Sequence, residues 1–354
     1  MSDPAPRRPL LGVAVALTSV LLSLGLAELA LRVFSPRPPS WLAIYRRHPA
    51  LPFYSLLPDL RTTVDTGDAH WVVATDADGF RVGDAPAGAT SCTDLWLGDS
   101  FALGHGVNYE ESIVGILAAS APAVRQVNSA VPGYGPVQYR QTLEYLLGQG
   151  RRFDAIYVMS YVGNDYHDAL WDKDVAVRDG VVGHQGDWKS YLKTWSHLYR
   201  LASSVFHRLA PPTESPYAKL DEELADPNAW EQDFLSRARK TYDAEMARIL
   251  ALGREAGAEP RFVIIPTKAA VEAARAGDVP GAASRPLLPV LNARASLEGM
   301  HAQVFDATPV LAHNGGERLY LPFDGHLTVE GNRIVAQALL ATWPLACGRE
   351  TVSP

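Results

Sequence analysis

Short apolar runs alternate with longer amphipathic segments between residues 92 and 343. The apolar runs have the length of buried strands and lie at 94–97, 124–128, 155–160, 261–265 and 302–305. Apolar residues recur at helical spacing over 112–120, 136–147, 189–209, 229–256, 287–298 and 328–343. Thr328 is the predicted N-cap of the last helix, with Glu330 in its first turn. This alternation predicts an α/β fold, a three-layer αβα sandwich around a mostly parallel five-stranded sheet.

The N-terminal segment is apolar enough to cross a membrane. Residues 9–27 carry no charge and the apolar stretch resumes at 29–31, which gives roughly the 20 residues that a bilayer-spanning helix needs. Arginines flank the segment on both sides, so positive charge does not settle its orientation. A cleavable signal peptide is the alternative. The stretch is long for one and no clear cleavage site follows, so we expect an uncleaved anchor over residues 1–35.

The segment after the anchor is rich in proline, which predicts a stiff spacer followed by a small β element, together covering residues 36–90. The main domain is expected over residues 91–348, with a helical insertion at 166–260. Four aromatic residues recur at helical spacing within that insertion: Trp188, Tyr191, Trp195 and Tyr199. We expect them to pack against the main domain, with a sugar- or acyl-binding platform as the alternative.

Charge and cysteine content narrow the class of partner. The 354 residues carry a net charge of -7 with no basic run, which argues against nucleic acid as a partner.

Cys92 and Cys347 are the only cysteines, and both are expected at the amino-terminal edge of the sheet. A disulfide between them would require an oxidising compartment, and two separate thiols are the equal alternative. The histidines lack metal-ligand spacing, so neither a metal nor a cofactor is expected.

Polar residues follow the predicted strands at the edge where parallel α/β sheets bind ligands. They are Ser100 in Gly98-Asp99-Ser100, Gly133 five residues after Asn128, Asn164 in Gly163-Asn164-Asp165, and Asp324 and His326 before the last helix. Each motif alone is also typical of an ordinary turn or helix cap. All of them at one sheet edge predict a catalytic site.

These motifs resemble those of the SGNH (GDSL-type) hydrolase superfamily, over roughly residues 93–345. The resemblance implies a flavodoxin-like fold, Ser100 as nucleophile, His326 as general base and Asp324 as the acid that orients it. It implies an oxyanion hole made by the N–H groups of Ser100 and Gly133 and the amide of Asn164. Asp324 stands two residues before His326, whereas in many members of the superfamily the acid stands three residues before the histidine. The spacing in this chain resembles that of the membrane-linked branch. Arg81 and Asp165 are expected to be structural.

The expected function is that of a membrane-anchored serine esterase. The catalytic domain is expected in the periplasm, held by a single-pass helix in the inner membrane, where it removes a small acyl group such as acetyl. The ester would belong to a small molecule, glycan or lipid of the cell envelope. An O-acetyltransferase with the same triad is one alternative, and a non-catalytic envelope-binding module is another.

Overall fold

The computed structural model describes residues 8–34, 43–66, 68–84, 90, 92–171, 175–183, 188–209, 218–277 and 285–345. They form two compact units. The first comprises the described parts of 1–47 and 174–211, and the second those of 48–173 and 212–354.

Strands and helices are numbered in chain order. The strands are β1 (Tyr45–Arg47), β2 (Tyr54–Leu56), β3 (Arg61–Asp65), β4 (His70–Thr75), β5 (Arg81–Val82), β6 (Cys92–Gly98), β7 (Val124–Asn128), β8 (Ala155–Tyr161), β9 (Ala176–Arg178), β10 (Val181–Gly183), β11 (Pro260–Ile265) and β12 (Gln303–Asp306). The helices are α1 (Arg8–Phe34), α2 (Ser100–Leu103), α3 (Ile113–Ser120), α4 (Pro136–Gly148), α5 (Asp165–Asp168), α6 (Trp188–Trp195), α7 (His197–Leu209), α8 (Ala218–Ala225), α9 (Asp233–Glu255), α10 (Lys268–Arg275), α11 (Leu288–Gly299), α12 (Thr308–Asn314) and α13 (Val329–Thr342).

An eight-stranded sheet forms the centre of the second unit, in the order β12-β11-β8-β6-β7-β5-β4-β3. The five strands from β12 to β7 are parallel, as predicted. The chain first adds β7 on one side of β6 and then β8, β11 and β12 on the other, which is the flavodoxin-like order. This reversal at β6 opens a crevice at the carboxyl ends of β6, β7 and β8, where ligands bind in such folds.

The small β element predicted between residues 61 and 90 is part of this sheet rather than a separate piece packed against it. Its last strand, β5, pairs antiparallel with β7 through Arg81 and Asn128, and β4 and β3 follow in turn. The free edge of β7 accepts them because its backbone N–H and C=O groups need partners. The spacer prediction also missed regular structure, since β1 and β2 lie within residues 43–60.

Helices cover both faces of the parallel strands. Right-handed connections from β6 to β7 and from β7 to β8 run in opposite directions across the sheet, so α3 and α4 lie on opposite faces. Helix α9 packs on α4, and α13 packs on α3. As predicted, the Thr328 side chain caps α13 by accepting a bond from the Gly331 N–H at 3.2 Å. The short helices α8, α10 and α12, of seven or eight residues, were not predicted.

The first unit contains α1 and part of the predicted insertion. Residues 11–34 of α1 have a mean hydropathy of 2.0, so this helix fits either a membrane anchor or a signal sequence. The helix predicted over 189–209 is two helices, α6 and α7, which Ser196 separates. The antiparallel hairpin β9–β10 precedes them. Trp188, Tyr191 and Trp195 are exposed, and Tyr199 is half-buried. The expectation that these four residues pack against the main domain stays a prediction.

Cys92 begins β6 and is buried. Cys347 lies outside the described residues. A disulfide between the two therefore stays a prediction.

Asp94 on β6 provides a test of this core by pH. Burial raises the pKa of Asp94 to about 6, even though Gln126 donates a bond to its carboxylate at 3.2 Å. Because the folded state binds this proton more tightly than the unfolded chain, Asp94 makes the free energy of unfolding fall as pH rises from 3.8 to about 6. Its contribution to the slope is at most about 1.4 kcal/mol per pH unit.

We therefore expect Asp94→Asn to flatten that fall, as measured by urea unfolding at a series of pH values. Plotted against pH, the free energies of unfolding of the wild type and of Asp94→Asn should run parallel below pH 3.8 and above about pH 6. Curves that stay parallel throughout the interval would contradict the raised pKa.

Candidate active site

Ser100 lies directly beyond the carboxyl end of the central strand β6. The strand ends at Gly98, where a Cβ atom would lie 2.9 Å from the Met159 carbonyl and 2.5 Å from the Ala102 Cβ. Glycine therefore permits a tight turn from the strand into α2. Asp99 caps α2 by accepting a bond from the Phe101 N–H at 2.8 Å. Ser100 is thus the first residue of α2, and its own N–H has no acceptor within the helix.

His326 contacts the Ser100 hydroxyl. The distance from His326 Nε2 to Ser100 Oγ is 2.6 Å, and both side chains are almost fully buried. The loop before α13 folds back to present this imidazole, because the Leu321 N–H bonds the His326 carbonyl at 2.7 Å and Gly325 has a φ of +80°. The ring packs on Phe101 with centroids 4.6 Å apart. His326 is therefore held with one nitrogen on the serine.

Asp324 bonds the other nitrogen of His326, Nδ1. Burial alone would raise the pKa of the Asp324 carboxyl, but His326 and His105 beside it lower this pKa well below its usual range. The backbone N–H of Asp324 donates to Asp68 at 2.7 Å, which fixes the loop. Ser100, His326 and Asp324 thus form a continuous chain of contacts in which the carboxylate is ionised. Such a chain lets an imidazole take the hydroxyl proton while the carboxylate balances the charge that results.

A second histidine, His105, lies on the other side of Asp324. Its Nε2 is 3.4 Å from Asp324 Oδ2, and its ring centroid is 4.4 Å from that of His326. Burial, with His326 as a further contribution, lowers the pKa of His105, so it is neutral at neutral pH. We did not single out His105 from the sequence. Its only signal in the sequence is its position soon after the Gly98-Asp99-Ser100 turn, between Gly104 and Gly106, whose φ values are +83° and +85°.

Asn164 reaches the same turn from the end of β8. Its amide nitrogen donates to Asp99 Oδ2 at 3.1 Å, which orients the amide and uses one of its two hydrogens. Burial raises the pKa of Asp99 to about 6, so this carboxyl is ionised at neutral pH. Asp99 therefore links the cap of α2 to the orientation of Asn164. Sequence reasoning treated Asp99 only as part of the Gly-Asp-Ser turn.

The loop that carries Gly133 is tied to the strand end that precedes Ser100. The Val131 N–H bonds the Gly98 carbonyl at 3.3 Å, and the Asn128 amide donates to the Ala102 carbonyl at 2.8 Å. Gly133 has a φ of +79°, and a Cβ atom there would lie 2.6 Å from the Tyr54 hydroxyl. Glycine is thus required at residue 133 by both conformation and space.

Arg81 holds the segment that follows α2. It is fully buried, and its guanidinium donates to the Leu103 carbonyl, to those of Gly104 and Val107 at 2.6 Å, and to that of Val72 at 3.4 Å. Burial lowers the pKa of Arg81 to about 10, so it stays charged at neutral pH. Since His105 lies within the segment 103–107, Arg81 supports the site without touching its reacting atoms.

Asp165, the other predicted structural residue, is fully buried behind the site. It accepts a bond from the Tyr139 hydroxyl at 2.8 Å, and burial raises its pKa well above the usual range. Among the described residues, one group of three could hold a metal ion, and it consists of His105, Asp324 and His326. His326 already contacts Ser100, and Asp324 contacts His326, so these ligand atoms belong to the serine site. The expectation that no metal is needed stays a prediction.

Comparison with known proteins shows a limited similarity to solved structures. No protein-family model matches the sequence, and no curated protein matches it. A lipolytic protein of the G-D-S-L family from Veillonella parvula is 14% identical, with a TM-score of 0.40 over 72% of this chain and 99% of that chain. TesA is 12% identical, with a TM-score of 0.42 over 71% and 98% of the two chains. An acetylxylan esterase from Geobacillus stearothermophilus is 10% identical, with a TM-score of 0.41 over 74% and 98%.

The solved structures that this chain resembles are G-D-S-L lipolytic proteins and esterases. Because both identity and TM-score are low, the role of each residue rests on the geometry of this chain itself.

Proposed function

We propose that this protein is a serine esterase of the SGNH type. The observation that carries the proposal is the contact chain from Ser100 through His326 to Asp324, at the carboxyl edge of a flavodoxin-like sheet. A serine hydroxyl is a weak nucleophile at neutral pH unless a base takes its proton. His326 is within reach of that proton, and Asp324 fixes the imidazole tautomer.

Each step of ester cleavage has a residue to perform it. Ser100 Oγ attacks the acyl carbon while His326 Nε2 accepts its proton. The oxyanion that forms is stabilised by the N–H groups of Ser100 and Gly133 and by the amide hydrogen of Asn164 that Asp99 does not use. His326 then protonates the leaving alkoxide, and water hydrolyses the acyl-enzyme by the same route in reverse.

The proposed substrate is an ester with a small acyl group such as acetyl, on a saccharide or lipid of the cell envelope. The apolar helix α1 supports a membrane anchor. An inner-membrane, periplasmic location is part of the same proposal.

The fate of the acyl group tests this proposal against O-acetyl transfer. Acetylated envelope polysaccharide labelled in its acetyl groups is incubated with the full-length protein in detergent, with and without an excess of unlabelled saccharide acceptor. We expect the label to leave as free acetate at a rate that the acceptor does not lower. Label that moves to the acceptor would identify a transferase. Absence of both products with every ester tried, including p-nitrophenyl acetate, would favour the non-catalytic alternative.

Loss of the Asp324 carboxylate should strongly reduce turnover. Asp324→Asn keeps the size of the side chain but favours the wrong imidazole tautomer, so we expect kcat for p-nitrophenyl acetate to fall by roughly 10³- to 10⁴-fold. Asp68→Asn is the matched control, since Asp68 bonds only backbone N–H groups of the same loop, and it should lose much less activity. Near-normal activity of Asp324→Asn would mean that another carboxylate orients His326.

A further inference from the structure

Two consecutive helices of the first unit expose apolar side chains. On α6, Trp188, Tyr191 and Trp195 are 65%, 57% and 45% exposed. On α7 the exposed residues recur one, three and four positions apart and so form one stripe: Leu201, Ala202, Val205, Phe206 and Leu209. We call these eight residues the apolar face.

Three polar side chains of the same helices are buried instead. Thr194, His197 and Arg200 are each 3% exposed. Arg200 Nη2 lies 3.4 Å from Asp179 Oδ2, and Arg200 Nε donates to the Ser196 carbonyl at 3.3 Å. This arrangement is the reverse of a helix on a water-facing surface, where apolar residues point inward. The apolar face therefore calls for an apolar surrounding.

Helix α1 binds the start of α7. The Glu28 carboxylate accepts bonds from the N–H groups of His197 and Leu198, at 3.0 and 2.9 Å, and from the Ser196 hydroxyl at 2.9 Å. It thereby satisfies N–H groups that the first turn of α7 leaves without partners, and its negative charge suits that end of the helix dipole. Arg32 bonds Glu28 at 2.8 Å and also donates to the Trp195 carbonyl at the end of α6. Both helices are thus attached to the same turn of α1, the one that carries Glu28 and Arg32.

The position of Glu28 along α1 corresponds to a membrane interface. Residues 11–34 of α1, in which Glu28 and Arg32 are the charged residues, span about 36 Å, against a hydrocarbon thickness of about 30 Å. Glu28 is six residues before Phe34, the last residue of α1, so it lies about 9 Å from that end of the helix. The apolar face therefore begins where the hydrocarbon of the bilayer meets its headgroups.

The charge and aromatic content of α6 and α7 fit the same surrounding. Besides the buried Arg200, residues 188–209 include Lys189, Lys193 and Arg208 and no Asp or Glu, which suits phosphate headgroups. The guanidinium of Arg178 lies 3.6 Å from the ring centroid of Trp195, and Tyr191 stacks on the same ring. Trp and Tyr side chains concentrate at membrane interfaces, because their rings are apolar and their edges form hydrogen bonds.

We propose that α6 and α7 lie in the membrane interface, with the phospholipid bilayer covering the apolar face. This inference rests on the membrane-spanning role of α1 in the proposed function and is independent of the esterase activity. The protein would then contact the bilayer through a spanning helix and, beside it, a pair of interfacial helices.

Quenching of tryptophan fluorescence by brominated lipids tests the proposal. The full-length protein is reconstituted into vesicles of phosphatidylcholine and phosphatidylglycerol, in which the phosphatidylcholine is unbrominated, brominated near the headgroup or brominated near the chain ends. All proteins carry Trp41→Phe, since Trp41 follows α1 by seven residues in the sequence. We expect Trp188→Phe/Trp195→Phe to lower the quenched fraction of emission by about twofold or more, with headgroup-proximal bromines quenching the wild-type pair best.

The matched control is Trp171→Phe, which removes a tryptophan of equal exposure, 45%, in the second unit and should not lower the quenched fraction. Adding Phe206→Trp to the double variant should restore quenching, a gain that a misfolded protein would not give.

Equal quenching in the parent and the double variant, or no quenching of either, would overturn the proposal. Chemically cross-linked dimers through the apolar face would then indicate a second copy of the chain. Flotation of the protein with the vesicles reports separately on α1, so failure of the anchor is distinguishable from failure of the interfacial helices.

Discussion

Ser100→Ala is expected to lower kcat/KM for p-nitrophenyl acetate by about 10⁴-fold or more. The substitution removes the hydroxyl oxygen of Ser100, which lies 2.6 Å from His326 Nε2. Without a nucleophile, the oxyanion donors and His326 can only assist direct attack by water, which is far slower. Steady-state hydrolysis by the purified full-length protein in detergent measures the effect.

The fold of this variant should be intact. Ser100→Ala loses one hydrogen bond and no large apolar contact, so the free energy of unfolding should change by only about 1 kcal/mol. Ser120→Ala is the matched control, because Ser120 is exposed and bonds only the Ile116 carbonyl of its own helix. That variant should keep full activity. An active Ser100→Ala protein would mean that a different group attacks the ester.

Arg81→Met is expected to have the largest effect on stability, lowering the free energy of unfolding by about 3–5 kcal/mol. Methionine fills much of the space but donates no hydrogen bond, so the buried carbonyls of Leu103, Gly104 and Val107 lose the donor that they share. Activity should also fall, because these carbonyls belong to the segment that holds His105 beside Asp324. Urea unfolding followed by circular dichroism measures the loss of stability.

Two further variants, Arg81→Lys and Arg61→Met, serve as comparisons for Arg81→Met. Lysine keeps the charge but cannot reach several carbonyls with one planar fork, so it should recover only part of the stability. Arg61 is exposed and pairs with the exposed Asp84, and its replacement by methionine should cost far less stability than Arg81→Met. An Arg81→Met protein as stable as Arg61→Met would show that the buried carbonyls find other partners.

The parallel core of the fold could be predicted because its strands are short, apolar and bounded by polar turns. Strands β6, β7, β8 and β11 lie within one or two residues of the predicted runs, and Thr328 caps α13 as its hydroxyl suggested. Strands β3 to β5 were recognised as β structure, but their place in the sheet was not predicted. Edge pairing depends on which strand has free backbone groups, and local sequence does not carry that information.

The candidate site was predictable where residue type and position agree. Ser100 and His326 stand at the ends of elements that converge on one sheet edge, and the structure brings them to 2.6 Å. His105 could not be predicted, because its role depends on a tertiary contact with Asp324. Trp188, Tyr191 and Trp195 of the apolar face were recognised from the sequence as an aromatic stripe at helical spacing. Periodicity alone does not say whether an apolar face meets protein or lipid.

Labelling with a fluorophosphonate tests the central claim most directly, namely that His326 and Asp324 activate Ser100 as a nucleophile. The full-length protein in detergent is treated with the probe, digested and analysed by mass spectrometry, beside Ser100→Ala, His326→Ala and the control Ser120→Ala. We predict one adduct on Ser100 in the wild type and in Ser120→Ala, none in Ser100→Ala and strongly slowed labelling in His326→Ala. An adduct on another residue, or labelling of Ser100→Ala at the wild-type rate, would contradict the account.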